Sequence, residues 1–219
     1  MHTDQAIKSR KTEKVLANEA FNVPVNNTVL HKTIKELLDL AAHAPFHHVC
    51  NNNHTTKELN SVLPWRSYVL DSKNCRQLLK YITTNNIKAG KISNMLAACD
   101  ALIITTWLPE PIDENSKKDT SIIYSGNLKN MEHIAAASSA IQNILLGATT
   151  RNIPNYWSSG GVLRNEVFFN ILEIPLNEIL LGALFLFPKD SSKRDVTIKP
   201  GALRNKGKEQ DTWSKFIEL

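Results

Sequence analysis

The sequence predicts a single α+β domain that spans residues 1–219. Apolar residues recur at helical spacing in several stretches, whereas 101–107 and 179–187 are short apolar runs typical of buried strands. Because these stretches do not alternate as a βαβ repeat, an α+β arrangement with few strands is expected. A hydrophobic content of 42% without any low-complexity tract favours an ordered globule.

The first quarter of the chain contains two predicted helices and one polar segment. A short helix begins near Thr3, and Asn27 or Thr28 can cap a second one. Pro45 ends the second helix, because proline disfavours helical backbone in the residue before it. Residues 46–63 are polar and rich in Asn and His. They have neither a helical nor a strand period, so we expect a loop.

The remaining elements follow from the apolar spacing. In chain order it predicts a strand, two helices, a strand, a helix and a strand, over 65–70, 73–87, 92–98, 101–107, 163–172 and 179–187. Residues 189–219 are predicted to form an extended C-terminal arm with a short helix near 213–216.

The longest predicted helix begins near Glu132 and has almost no polar face. A surface helix would show a charged side, so this one is expected to be buried in the core or across a subunit boundary. The chain then becomes extended and carries aromatic, hydroxyl and glycine residues, namely Tyr156, Trp157, Ser158, Ser159, Gly160 and Gly161. Flexible backbone beside flat side chains suits a flat ligand with polar edges.

The net charge of +5 is concentrated near the two ends of the chain. Such a charge can indicate nucleic-acid binding, but the basic runs lack the interleaved aromatic residues on which bases stack. We therefore expect no nucleic-acid partner. The two basic ends could instead converge on one small phosphate group.

The cysteines and the hydropathy pattern indicate a cytoplasmic protein. Cys50, Cys75 and Cys99 are odd in number and do not share a metal-ligand spacing, which favours reduced thiols. No apolar run reaches the roughly 20 residues of a membrane span, and the N-terminus lacks the apolar core of a secretory signal. We therefore expect no membrane association.

A histidine-rich stretch raises the question of a metal site. Imidazole and thiolate groups suit zinc, and the candidates are His43, His47, His48, Cys50 and His54. Because Pro45 interrupts any regular helix between the first two histidines, their side chains are not aligned by helical spacing. The other spacings match no closed zinc pattern, so we predict no metal.

Several short motifs occur in one order along the chain: AIKSRKTEK at 6–14, AAHAP at 41–45, PWRSYVL at 64–70, ALIIT at 101–105, WSSG at 157–160, LEIP at 172–175 and EILLGAL at 178–184. In this order they resemble the FMN-dependent nitroreductase family, in particular its compact branch of NAD(P)H nitroreductases. The resemblance covers nearly the whole chain. It implies a three-layer fold with a mainly antiparallel central sheet flanked by helices, and a homodimer that exchanges the arm formed by residues 189–219.

The resemblance also implies an FMN site. Family members bind the FMN phosphate with a basic-hydroxyl-basic cluster at the first helix, which matches Arg10, Lys11, Thr12 and Lys14. Guanidinium, ammonium and hydroxyl donors together suit a phosphate dianion. Lys193 or Arg194 would add a phosphate contact from the arm. The alternative for the cluster is an ordinary solvated helix end.

Two further groups complete the implied site. His43 and His47 flank the Ala-Pro element, where the compact branch places polar flavin contacts, and a structural or solvated role remains the alternative. The segment that family members place against the isoalloxazine ring is matched here by Trp157, Ser158, Ser159 and Gly160. The alternative for Trp157 is core packing.

The implied activity is reduction of nitroaromatic, quinone or similar acceptors by NADH or NADPH in a ping-pong sequence through FMN. No catalytic side chain is predicted, because the flavin carries the chemistry. The alternative is a flavin-binding protein with little turnover, serving storage, sensing or a partner complex. Two features depart from the family: the 46–63 segment is long enough to form a lid or reshape the acceptor pocket, and Asn152-Ile153-Pro154 replaces a frequent Gly-Leu-Gly.

Overall fold

The computed structural model describes residues 2–112, 124–203, 206–209 and 212–218. Its α-helices are α1 (Thr3–Ser9), α2 (Thr28–Ala42), α3 (Ser72–Thr84), α4 (Lys91–Ala98), α5 (Leu128–Thr150) and α6 (Glu166–Ile171). Its strands are β1 (Glu13–Leu16), β2 (Trp65–Asp71), β3 (Ala101–Trp107), β4 (Asn155–Ser158), β5 (Ile179–Leu186) and β6 (Thr197–Pro200). Among the described helices, none is long and apolar enough to cross a membrane.

A four-stranded antiparallel sheet forms the centre of the molecule, in the order β2-β3-β5-β4. Trp107 lies opposite both Trp65 on β2 and Ile179 on β5, and these three residues mark what we call the Trp107 end of the sheet. Strand β4 also runs towards this end, but it finishes at Ser158, which lies opposite Ala183 in the middle of β5. The predicted α+β class and antiparallel sheet are confirmed.

Helices cover both faces of the sheet, which makes three layers. On β3, Ile103 faces α2 and α5, whereas Leu102 and Ile104 face α3, α4 and α6. This alternation follows from the period of two along a strand. Because every β3 residue is buried, the strand reads as a continuous apolar run, and its predicted bounds are confirmed.

Helix α5 is the predicted buried helix, although it begins four residues before Glu132. Asn127 caps it, since its side-chain oxygen accepts a hydrogen bond from the Asn130 backbone N–H at 2.8 Å. The helix ends at Thr150, Arg151 caps it, and the next residue, Asn152, adopts a φ of 55°. The Ile153 N–H then donates to the Ala148 carbonyl at 2.9 Å, which closes a Schellman motif. Asparagine therefore supplies the left-handed residue for which relatives often use glycine.

The C-terminal arm differs from the prediction in two ways. Strand β6 pairs antiparallel with β1 of the same chain, a two-stranded sheet that the sequence did not indicate. The predicted helix near 213–216 is wrong, because 214–218 are neither helical nor extended in a sheet. An isolated helix this short is unstable in water without a surface to pack on. Here Trp213, Phe216 and Ile217 are exposed.

Candidate functional site

A cavity of about 720 Å³ opens where α1, β1, α5 and the arm meet. We call it the Arg10 cavity. Its wall is part basic, part hydroxyl and amide, and part apolar, formed by Ile7, Lys8, Arg10, Thr12, Gln142, Gly201, Ala202, Leu203 and Lys208. Its volume lies within the usual range for small-molecule sites, about 300–1,000 Å³.

The chain direction explains which predicted phosphate residues reach this cavity. After α1 ends, the backbone is extended, so successive side chains alternate between two sides. Arg10 and Thr12 line the Arg10 cavity, whereas Lys11 points elsewhere and pairs with Glu13 at 2.9 Å. Lys14 lies further along β1, with its ammonium 4.5 Å from the centroid of the Tyr156 ring. The predicted cluster is therefore split.

The arm supplies the opposite wall of the Arg10 cavity. Gly201 packs so closely on Thr12 that a Cβ at Gly201 would lie 3.1 Å from the Thr12 Cβ. This contact fixes the arm against the start of β1, and Lys208 follows at the cavity wall. Sequence reasoning did not select Lys8, Gln142 or Lys208. The basic composition of the tail was the one signal that pointed to Lys208.

The structure places the other predicted arm residues away from this cavity. Arg194 donates two hydrogen bonds to the Asp190 carboxylate, each 3.1 Å long, and its guanidinium lies 4.6 Å from the centroid of the Phe21 ring. Lys193 is exposed in the short turn Ser191–Lys193. Neither residue lines the Arg10 cavity.

Trp157 lies across the central sheet rather than projecting into solvent. A Cβ at Gly182 on β5 would stand 2.4 Å from Trp157 Nε1, so glycine is required for the indole to cross. The indole also packs against the apolar face that contains Ile141 of α5. This contact corresponds to the packing role that was the alternative for Trp157.

The turn after β4 presents backbone at the Trp107 end of the sheet. The Gly160 N–H donates to Ser158 Oγ at 3.2 Å, and Gly160 has a φ of 100°, which favours glycine. Ser159 is exposed, and its carbonyl accepts a hydrogen bond from Arg164 Nε at 2.6 Å. These two hydrogen bonds hold the backbone of the turn in place, and Ser159 lies at the surface.

The histidine-rich stretch spreads over the Trp107 end instead of converging. His43, which ends α2, and His47 are both exposed. His48 pairs with Glu132 at 3.0 Å. His54 is buried and donates from Nε2 to the Pro109 carbonyl at 2.8 Å. Across the described part of the chain, His, Cys, Asp and Glu residues form no group of three that could hold a metal.

A buried polar cluster lies on the α3 side of the sheet, and sequence reasoning missed it. The Glu178 carboxylate accepts hydrogen bonds from Tyr68 Oη at 2.9 Å and from Thr106 Oγ1. Burial raises the pKa of Glu178 and also the pKa of Tyr68, which has the carboxylate beside it. Arg66 lies nearby, on the same side of β2 as Tyr68. Polar residues at alternate positions of β2 were the available signal.

Comparison with known proteins identifies the fold. A nitroreductase-like family protein from Bacillus cereus superposes with a TM-score of 0.63 at 19% identity, over 100% of this chain and 97% of that chain. A candidate nitroreductase from Desulfovibrio desulfuricans, solved in complex with FMN, gives 0.50 at 17% identity over 83% of each chain. Nitroreductase CinD from Lactococcus lactis, solved with chloramphenicol, gives 0.54 at 13% identity over 86% of this chain and 90% of that chain.

These similarities are structural rather than sequence-based. No family model and no curated protein matches the sequence. The superpositions nevertheless extend over most or all of the chain and include both the central sheet and the helices on its two faces. The expectation drawn from the sequence motifs is confirmed at this level: the chain has the nitroreductase-like fold.

Proposed function

We propose that this protein is an FMN-dependent oxidoreductase that uses NADH or NADPH to reduce nitroaromatic, quinone or similar acceptors. The observation that carries the proposal is the Arg10 cavity, which gathers basic, hydroxyl and amide groups beside the central helix of a nitroreductase-like fold. The FMN-bound structure of the Desulfovibrio desulfuricans protein supports the choice of cofactor.

The donor set of the Arg10 cavity fits the phosphate of FMN. Arg10 offers a planar fork of N–H donors, Lys8 and Lys208 offer ammonium groups, and the Thr12 hydroxyl can donate as well. Three cationic side chains around one cavity favour the approach of an anion. A phosphate dianion can accept several hydrogen bonds from such a donor set at once.

The turn at 158–160 is the proposed contact for the flavin ring. It lies at the end of β4, and its backbone is fixed by the Ser158 and Arg164 hydrogen bonds. A backbone that is already fixed can orient a flat ring without being ordered on binding, which lowers the entropic cost of binding. FMN, when bound, would carry electrons from the nucleotide to the acceptor. The two substrates would use the same site in turn.

The oligomeric state in this proposal is a homodimer. On α5, Leu128 and Met131 remain exposed after the helix has packed on the sheet, and Ala135 continues the same open face. The exposed Trp213 and Phe216 of the arm provide a second apolar surface. A partner that covers both would bury the large apolar interface typical of obligate dimers. Size-exclusion chromatography with light scattering tests this, and a monomer at micromolar concentration would contradict it.

The cellular site proposed is the cytoplasm. Cys50, Cys75 and Cys99 are free and buried, so none of these thiols is committed to a disulfide. Free thiols of this kind suit a reducing compartment.

A matched pair of variants tests the phosphate site. Arg10→Gln should weaken FMN binding by about tenfold to a hundredfold, because hydrogen bonds to charged groups contribute about 1.5–3 kcal/mol. Lys11→Gln removes the same charge from the neighbouring residue, which points away from the cavity, and should change the Kd less than about threefold. Titration of the apoprotein by flavin fluorescence measures both. Equal losses in the two variants would contradict the assignment.

The same preparation separates an oxidoreductase from a flavin-binding protein without turnover. The proposal predicts that anaerobic NADH or NADPH reduces the bound flavin and that a quinone then reoxidises it. Flavin that stays oxidised with either nucleotide would favour the storage, sensing or partner-binding alternative.

A further inference from the structure

The Arg66 side chain donates hydrogen bonds to four backbone carbonyls. It lies at the start of β2 and is only 5% exposed. Nη1 donates to the carbonyls of Leu63 at 2.8 Å and Trp65 at 2.9 Å. Nη2 donates to the carbonyls of Ser61 at 2.9 Å and Leu59 at 3.4 Å. All but one of these acceptors belong to the 46–63 segment.

The same guanidinium reaches the other end of that segment. Nη2 lies 3.9 Å from the Cys50 Sγ, and the Cys50 N–H donates to the Val62 carbonyl at 3.0 Å. Residues 50 and 62 are therefore joined directly, and the chain between them forms a closed loop around Arg66. Inside the loop, the Thr56 N–H donates to the Leu59 carbonyl at 3.1 Å. The segment without helical or strand period thus has one defined arrangement.

Outer contacts fix where this loop lies. His54 bonds to the Pro109 carbonyl at 2.8 Å, after the end of β3. Asn177, just before β5, donates to the Asn53 carbonyl at 3.4 Å. The 46–63 segment therefore crosses the Trp107 end of the sheet from β2 towards β5. The turn at 158–160, proposed to contact the flavin ring, approaches the same end, since Gly160 packs against Leu180 of β5, which lies opposite Thr106.

Arginine is chemically suited to this position in a way that lysine is not. Its planar fork holds five N–H donors in fixed directions, so one side chain can bind several carbonyls that do not lie together. The nearby Glu178 carboxylate, itself held by Tyr68, offsets the buried positive charge. A lysine would offer three donors from a single nitrogen and could not span Leu63 and Leu59 in the same way.

We infer that Arg66 is a positioning residue: it holds the 46–63 segment as a fixed wall at the end of the sheet that the turn at 158–160 approaches, and through that wall it shapes the space for the electron acceptor. Arg66 itself touches no reacting group. The effect on the acceptor space rests on the proposed function. The hold of Arg66 on the 46–63 segment, which we call the clamp, rests on the hydrogen bonds alone.

Hydrogen exchange tests the clamp on the protein without cofactor or substrate. In Arg66→Lys, the amides of 50–63 should exchange about tenfold faster or more, while those of β3 and β5 stay unchanged. Lys57→Gln is the matched control, since it removes an exposed charge from the same segment and should leave exchange as it is. Unchanged protection in Arg66→Lys would overturn the clamp.

Wild-type protein provides a second test should Arg66→Lys fail to fold. The amide of Cys50, bonded to Val62, should be protected in the wild type as strongly as amides of α2. Rapid exchange of that amide would show that the segment is not held, which would overturn the inference without any variant.

Kinetics tests the link to the acceptor. With FMN bound, Arg66→Lys should raise the KM for 1,4-benzoquinone several-fold and leave the limiting rate of anaerobic flavin reduction at saturating NADH unchanged, because Arg66 does not touch the flavin in this proposal. Faster exchange together with an unchanged KM would overturn the positioning role. A wild-type protein that binds no FMN would instead refute the proposed function, and the exchange result would still decide the clamp.

Discussion

Arg66 and the Arg10 cavity represent opposite ways of using positive charge. Arg66 is buried, and its two terminal nitrogens are bonded to carbonyls of the same chain. Lys8 and Lys208 are exposed around an open cavity. A buried cation has to be satisfied by the fold, because an unpaired one is very costly, and so it serves structure. Cations at the wall of an open cavity keep their contact with water, and in the proposed function they bind the cofactor phosphate.

The largest effect expected from this comparison is on stability. Arg66→Met should lower the free energy of unfolding by about 3 kcal/mol, because it removes the donor from one buried and three partly buried carbonyls and removes the cation beside the buried Glu178. Lys208→Met should change it by less than about 0.5 kcal/mol, since the residue is exposed. Urea denaturation of the two variants measures both values. Similar losses of unfolding free energy in the two variants would contradict the distinction between a structural cation and cations of the cavity wall.

A second buried contact of the 46–63 segment should make stability depend on pH. Burial lowers the pKa of His54 below its ordinary 6.5, Arg66 and His133 lower it further, and the Pro109 carbonyl and Glu110 oppose the shift. The unfolded chain therefore binds the proton more readily, and His54 costs stability as pH falls from 6.5 towards its folded pKa. The slope from this group is at most about 1.4 kcal/mol per pH unit.

His54→Gln isolates that slope. Glutamine can keep a donor near the position of Nε2 for the Pro109 carbonyl but does not titrate. Burial raises the pKa of Glu178, which acts in the opposite sense because its contribution is lost as pH rises above 4.5. Since Glu178 is present in both proteins, the difference between their unfolding free energies from pH 7 to pH 5 reports His54. A constant difference over that range would contradict the assignment.

The smallest effect belongs to an exposed contact of the same segment. His48 and Glu132 lie 3.0 Å apart, with side chains 45% and 30% exposed. Solvent-exposed pairs contribute little, so His48→Gln should lower stability by no more than about 0.5 kcal/mol and leave exchange at 50–63 unchanged. A loss comparable to that of Arg66→Met would mean that surface contacts, rather than the buried clamp, hold the segment.

The parts of the fold that sequence predicts well are those decided locally. Strand β3 appears as an apolar run because both of its faces are buried, and α5 appears because its apolar residues leave no charged side. Strands β1 and β6 were missed because each is four residues long and half-polar. They form strands because they pair with each other, and their composition does not predict this pairing. The helix expected near 213–216 does not form, although the local sequence favoured it, because these residues have no surface to pack on.

The candidate site shows the same division. Arg10 and Thr12 were selected by a motif, and they do share a cavity. Motif matching could not show that extended backbone sends Lys11 to the other side or that Lys208 returns from the far end of the chain. Nor could it reveal the role of Arg66, whose partners are backbone carbonyls. Backbone partners have no signature in a sequence.

The most direct test of the central claim is the visible spectrum of the purified protein, with FMN added, before and after anaerobic NADH and NADPH. For an FMN-dependent oxidoreductase, we expect bound flavin with bands at about 370 and 450 nm, and loss of the longer-wavelength band with at least one nucleotide. Absence of flavin bands after FMN addition and removal of the excess would contradict it. The nitroreductase-like fold would then serve a different function in this protein.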